Sequence, residues 1–136
     1  MKKIDHIGIA VPALDSAVAQ YRALGFPLDG IEAVPSQKVN TAFFPIGESH
    51  IELLEPSSED SVIAKFLNKR GPGIHHICIE VDDIEAAMAE YREAGVCLVN
   101  EQPTIGAGGH RVAFIHPKSA SGVLLELLER RREPDA

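Results

Sequence analysis

Two histidines and two glutamates recur at matching places along this chain, and each glutamate stands where a buried strand would ordinarily carry an apolar residue. Glu126 interrupts the run Val123-Leu124-Leu125-Glu126-Leu127-Leu128, and Glu52 does the same within Ile51 to Leu54. An ionised carboxylate is rarely buried unless a charge partner or a metal ion sits beside it. His6 lies in the alternating run Ile4 to Val11, and His76 in the similar run His75 to Val81. Two imidazoles and two carboxylates projecting from four strands would form a mixed site for a divalent first-row ion such as Mn²⁺, Co²⁺, Ni²⁺ or Zn²⁺. A six-coordinate ion there would keep two positions for water or substrate.

An internal repeat accounts for the matching. At an offset of 70, Asp5-His6-Ile7-Gly8-Ile9-Ala10-Val11 falls over His75-His76-Ile77-Cys78-Ile79-Glu80-Val81, and Ala17, Ala19, Tyr21, Arg22 and Gly25 meet the same residue types. At an offset of 74, Ile51-Glu52-Leu53-Leu54-Glu55 falls over Leu125-Glu126-Leu127-Leu128-Glu129, so the second copy carries extra residues in between. A repeat of this length dictates architecture.

Each copy opens with a period-2 run and continues with apolar residues at helical spacing: Leu14, Ala17, Val18, Tyr21 and Leu24, then Ile84, Ala87, Met88 and Tyr91. Asp15 and Glu85 fall in the first turns, where the helix dipole favours them, and Gly25 and Gly95 end the helices. Three strand-like runs follow each helix: about 26–32, 39–46 and 49–55, then about 96–101, 111–116 and 122–128. The pattern is βαβββ twice, an α+β arrangement. Module one covers about 1–56, a linking helix about 57–72 and module two about 73–131; the charged tail from Arg130 is expected to fray, with 132–136 beyond the domain.

Alternation decides which way each group points. In the first strand the β-branched Ile7, Ile9 and Val11 share the face suited to a helix, which sends His6 to the opposite, concave side with Gly8 and Ala10. The same parity selects His76 as the equivalent of His6, and leaves His75 on the helix side with Ile77. His50, His110 and His116 read as loop or rim residues, and Gly106-Ala107-Gly108-Gly109 as a mobile connector near the site, since no helix follows it to make a phosphate cradle. Cys78 and Cys97 read as buried thiols without a C-x-x-C spacing.

The chain of 136 residues is 45% hydrophobic and 24% charged, within the range for one globular domain. Its formal charge of −7 argues against a nucleic-acid surface. No run approaches the roughly 20 apolar residues of a membrane span, and Met1-Lys2-Lys3 leads into no signal-like apolar stretch, so the expected compartment is the cytoplasm.

With both copies in view, nearly the whole chain resembles the methylmalonyl-CoA epimerase group of the vicinal-oxygen-chelate (glyoxalase-like) superfamily. The strings that carry the resemblance are Ile4 to Val11, Ile51-Glu52-Leu53-Leu54-Glu55-Pro56, Gly73 to Asp82, and His116-Pro117-Lys118 with Gly122 to Leu127. The superfamily pattern is shared with glyoxalase I, extradiol dioxygenases, fosfomycin-resistance enzymes and metal-free antibiotic-binding proteins; the His75-His76 and Pro117-Lys118 to Glu126 strings narrow it to the epimerase group.

The resemblance implies a curved, open-barrel mixed sheet with helices on its outer face, a divalent ion held by His6, Glu52, His76 and Glu126, and Co²⁺ or Mn²⁺ ahead of Ni²⁺ or Zn²⁺. It implies epimerisation of 2R and 2S methylmalonyl-CoA at C2, an acyl-CoA thioester as partner, and a homodimer. Position 52 is Gln in some members and Glu here. Another member has a glutamate proposed as base on the strand that here carries Asn40; with no carboxylate in its place, Glu126 and Glu52 are the candidates for moving the proton. Lys38, Asn40, Arg111 and Lys118, with Arg130, are the candidates for substrate and its phosphates. Two alternatives stand beside this reading: a glyoxalase I-like lactoylglutathione lyase using the same ligands, and a metal-free small-molecule-binding module of the same fold.

Overall fold

The computed structural model describes residues 1–131; the expected frayed segment 132–136 lies outside the described residues. In chain order the elements are β1 (Lys3–Ala10), α1 (Leu14–Ala23), β2 (Gly30–Val34), β3 (Val39–Ile46), β4 (Ser49–Pro56), α2 (Val62–Arg70), β5 (Gly73–Glu80), α3 (Ile84–Glu93), β6 (Thr104–Ile105), β7 (Arg111–Ile115) and β8 (Leu125–Glu129). The fold is α+β, two βαβββ modules joined through α2. No helix among the described residues is long and apolar enough to cross a membrane.

The chain packs as two compact units, one of residues 6–76 and one of residues 1–5 with the chain from Ile77 onward. The boundary falls inside β1 and inside β5, so each of these strands contributes residues to both units.

In the unit of 6–76 the strand order is β2-β3-β4-β1. β1 and β4 run parallel, and the other pairs are antiparallel. Leu14 and Ala17 of α1 join Val11, Ala42, Phe44 and Leu53 in one core, with Ile9 and Ile51 packed against it. These strand residues all have the parity expected of the helix side, so His6 and Glu52 lie on the other face. In the second unit the order is β5-β8-β7-β6, with Ile84 and Met88 of α3 against Val81, Ala113, Ile115 and Leu127. The opposite parity there brings Cys78, Val112 and Leu128 together.

The repeat also sets how the helices begin. The Glu55 carboxylate accepts the backbone N–H of Leu14 at 2.6 Å, and its repeat partner Glu129 accepts that of Ile84 at 3.1 Å. Each module therefore satisfies an orphan N–H of its helix with the last glutamate of its final strand. The helices end at Gly25 and Gly95, whose φ values of +97° and +82° are left-handed.

Three local expectations are corrected. The strand expected over 26–32 begins at Gly30, because Phe26 and Leu28 turn into the α1 core instead. The strand expected over 96–101 is reduced to a single bridge between Leu98 and Ile115; the Asn100 side chain takes the Phe114 N–H at 2.8 Å, and true pairing resumes only at Thr104–Ile105. Arg130 belongs to the folded chain: its guanidinium meets Asp5 at 2.5 Å and also contacts Glu80, both buried carboxylates of the same unit.

Candidate metal centre

In the unit of 6–76, the parallel register sets His6 of β1 opposite His50 of β4 and Gly8 opposite Glu52. His6, Glu52 and His76 are 4%, 6% and 6% exposed, an unusual depth for three such polar groups. The Nε2 atoms of His6 and His76, seventy residues apart, lie 3.0 Å from each other. The other nitrogen of His6, Nδ1, is 3.1 Å from Oε2 of Glu52.

Gly8 makes room for this arrangement. A Cβ there would lie 2.3 Å from Cε1 of His76 and 2.7 Å from both of its ring nitrogens. The His76 imidazole therefore lies over backbone that no side chain can share. His75, its neighbour, stands edge-on to Phe66 of α2 with ring centroids 5.1 Å apart, and its Nδ1 is 2.9 Å from Nδ1 of His76.

His50 is not a rim residue. It lies within β4, its Nε2 is 2.7 Å from Oε2 of Glu52, and its ring stacks on His6 with centroids 5.0 Å apart. One atom from each of His6, His50 and Glu52 falls within 4.8 Å of the others. The signal was available in the sequence: a residue two positions before Glu52 on the same strand must share its face. Thr41, 1% exposed, carries no such signal in the sequence; it has the parity of Phe43, which approaches the His50 ring at 5.7 Å.

In the second unit Glu126 is buried at 5% exposure, opposite Cys78 in the β5/β8 register, with a carboxylate oxygen within 4.8 Å of the Cys78 sulfur. Cys78 is buried as expected, whereas Cys97 is partly exposed; neither forms a disulfide.

The candidate substrate residues are dispersed. Asn40 does not face the histidines: it lies on the helix side, where its amide donates to Glu55 at 3.2 Å, the carboxylate that starts α1. Lys38, at a left-handed turn, is paired with Asp60 and with Ser58 holds that carboxyl down to about 2. Arg111 meets Glu85 at 2.5 Å and Glu129 at 3.4 Å, and the Glu85 contact raises its already high pKa. Arg111 and Arg130 line a cleft of about 680 Å³ in the second unit together with Lys2, Glu80, Asp82 and Glu85. Lys118 is exposed on the turn after His116, whose Nδ1 accepts the Lys118 N–H at 3.0 Å. The glycine run forms a short 3₁₀ turn over Ala107–Gly109.

The donor set fits a divalent ion. Two imidazole nitrogens each about 2.1 Å from one ion, with bonds near a right angle, would be about 3.0 Å apart, which is the separation of the two Nε2 atoms. Imidazole with carboxylate suits first-row divalent ions. The His–Glu cluster is thus consistent with a divalent metal site.

The sequence pattern of the glyoxalase/bleomycin resistance protein/dioxygenase superfamily matches residues 5–114. The chain belongs to that superfamily. Within the superfamily it is 44% identical over 128 residues to an ethylmalonyl-CoA/methylmalonyl-CoA epimerase of Cereibacter sphaeroides, covering 92% of this chain and 96% of the relative. It is 42% identical over 127 residues to the mitochondrial methylmalonyl-CoA epimerase of Homo sapiens, covering 92% and 72%. Among solved structures, a variant Streptomyces coelicolor methylmalonyl-CoA epimerase in complex with 2-nitronate-propionyl-CoA superimposes with a TM-score of 0.92 at 40% identity, covering 97% of this chain and 99% of the other. This superfamily member is therefore similar to methylmalonyl-CoA epimerases over nearly its whole length.

Proposed function

We propose that this chain interconverts (2R)- and (2S)-methylmalonyl-CoA by removing and returning the proton at C2, with a divalent ion held by His6, Glu52, His76 and Glu126. The observation that carries the reading is the 3.0 Å approach of two histidine nitrogens, one from each repeat, in a chain so similar to epimerases. A divalent ion bound there supplies Lewis-acid stabilisation of the negative charge that develops as the C2 proton leaves.

The remaining work falls to side chains. His6 and His76 orient the centre, with Gly8 giving the His76 ring its place. Epimerisation needs a proton acceptor on one face and a donor on the other, and the repeat-related carboxylates Glu126 and Glu52 meet that need. For the CoA phosphates we propose Lys118, Arg111, Arg130 and Lys38, three of which must loosen an existing ion pair to serve. On the same reading Co²⁺ or Mn²⁺ is the working ion, and the chain acts as a cytoplasmic homodimer.

The test is exchange of the C2 hydrogen of each epimer in heavy water with metal-loaded protein. Wild type should exchange both epimers. Glu126→Gln keeps the volume and one weak oxygen ligand but removes the basicity, so exchange should fall by about 10²- to 10⁴-fold while metal affinity falls only in part. Wild-type exchange rates in metal-loaded Glu126→Gln would remove Glu126 from the proton transfer. Turnover of a glutathione hemithioacetal, with none of methylmalonyl-CoA, would replace the epimerase reading with a glyoxalase I-like one.

A further inference from the structure

We infer that His50 is a positioning residue of the metal centre: it holds the Glu52 carboxylate in one orientation beside His6. The inference rests on the metal-dependent reading above and concerns a residue that the repeat does not supply. At the offset that superimposes Glu52 on Glu126, His50 falls on Leu124, so the second copy has an apolar residue where the first has an imidazole.

The contacts are specific. Oε2 of Glu52 is shared between His50 Nε2 at 2.7 Å and His6 Nδ1 at 3.1 Å. With Oε2 lodged between two imidazoles, Oε1 is the oxygen left freer to turn. His50 is itself held: its ring stacks on His6 at 5.0 Å with planes 29° apart, and Phe43 of the neighbouring strand approaches it at 5.7 Å. The pairing of β1 with β4 places His50 directly beside His6, so the register of two strands enforces the contact. The His50 side chain is 21% exposed against 4% for His6 and 8% for Glu52, so of the three it is the one that solvent reaches most.

A glutamate has three side-chain torsions, and a carboxylate without this contact would sample several of them. Residues that orient a ligand in this way typically contribute 10- to 100-fold in metal affinity when removed. Glu126, which has a leucine at the corresponding place, must be oriented by other means.

The experiment is calorimetric titration of metal-stripped full-length protein with CoCl₂ and with MnCl₂, together with the visible spectrum of the Co²⁺ form. Thermal unfolding of each variant provides the folding control. His50→Ala should weaken binding of both ions by about 10- to 100-fold and alter the Co²⁺ bands, whereas His50→Gln, which can still donate an N–H to Glu52, should recover most of the affinity and the wild-type spectrum. Should His50→Ala not fold, His50→Gln alone decides: near-wild-type binding supports the inference, and a loss of tenfold or more overturns it. Unchanged affinity and spectrum in folded His50→Ala overturn it as well, while leaving the proposed function standing. Failure of the wild type to bind either ion overturns both.

Discussion

Gly8→Ala is the smallest substitution that should disable the proposed centre. The added methyl would lie 2.3 Å from Cε1 of His76, and ordinary contact begins near 3.4 Å, so the ring must retreat by about 1.1 Å. The ring nitrogen that approaches His6 at 3.0 Å moves with it. Misplacement of a positioned group by about 1 Å can cost 10²-fold, so we expect Co²⁺ affinity to fall by about that factor. Overpacking adds a destabilisation of about 1–3 kcal/mol, a fall of several degrees in Tm for a chain of this size. The control is Gly30→Ala, also in a strand of the same unit, whose new methyl would meet nothing within 4 Å. Calorimetric titration of the metal-stripped proteins and thermal melts supply both readouts. A folded Gly8→Ala protein that binds Co²⁺ within threefold of wild type would refute the steric reasoning.

Glu55→Ala removes the acceptor of the Leu14 N–H and the partner of Asn40 at once, with no contact to the histidines. A charge-assisted hydrogen bond of this kind is worth about 1.5–3 kcal/mol, so urea unfolding should show a loss of that order, with metal affinity unchanged. The pKa of His110 is lowered from its ordinary 6.5, first by burial and then by Arg130 and Arg131, against the opposing pull of Asp5 and Glu80. Its Nδ1 also accepts the Arg131 N–H at 2.9 Å, which needs the neutral ring. The unfolded chain then binds the proton more readily than the folded one, so stability is full above the ordinary value and falls as pH drops through 6.5 toward the lowered one. His110→Gln should flatten that part of a stability profile measured by urea unfolding between about pH 5 and pH 7.5.

Strand parity is what made the His–Glu cluster legible in the sequence. Period 2 separates His6 from Ile7 and His76 from His75 without reference to any partner, and two carboxylates inside apolar strands are anomalous on composition alone. The helix stops at Gly25 and Gly95 were legible for a similar reason, since a left-handed residue is locally encoded. What parity could not convey is which neighbour a side chain meets. Asn40 reads in the sequence as a substrate residue, but its register partner is Glu55, a pairing that exists only once β3 and β4 align. The need for Gly at position 8 is equally non-local, because the ring that would collide with a methyl there comes from residue 76. The strand expected over 96–101 failed because the Asn100 side chain competes for a ladder N–H, a contest that an apolar pattern does not reveal.

The division of β1 between two compact units bears on the order in which a nascent chain can settle. Residues 6–76 are all available once His76 has emerged, but residues 1–5 pack with a unit that extends beyond Arg130. Asp5 and Arg130, which meet at 2.5 Å, are 125 residues apart. At roughly 5–20 residues per second, the stretch from 76 to 130 takes about 3–11 s to make. Through that interval the Asp5 carboxylate, 2% exposed in the finished protein, lacks its Arg130 partner. The Asp5–Arg130 pair is thus bound to be among the last native contacts that synthesis lets form.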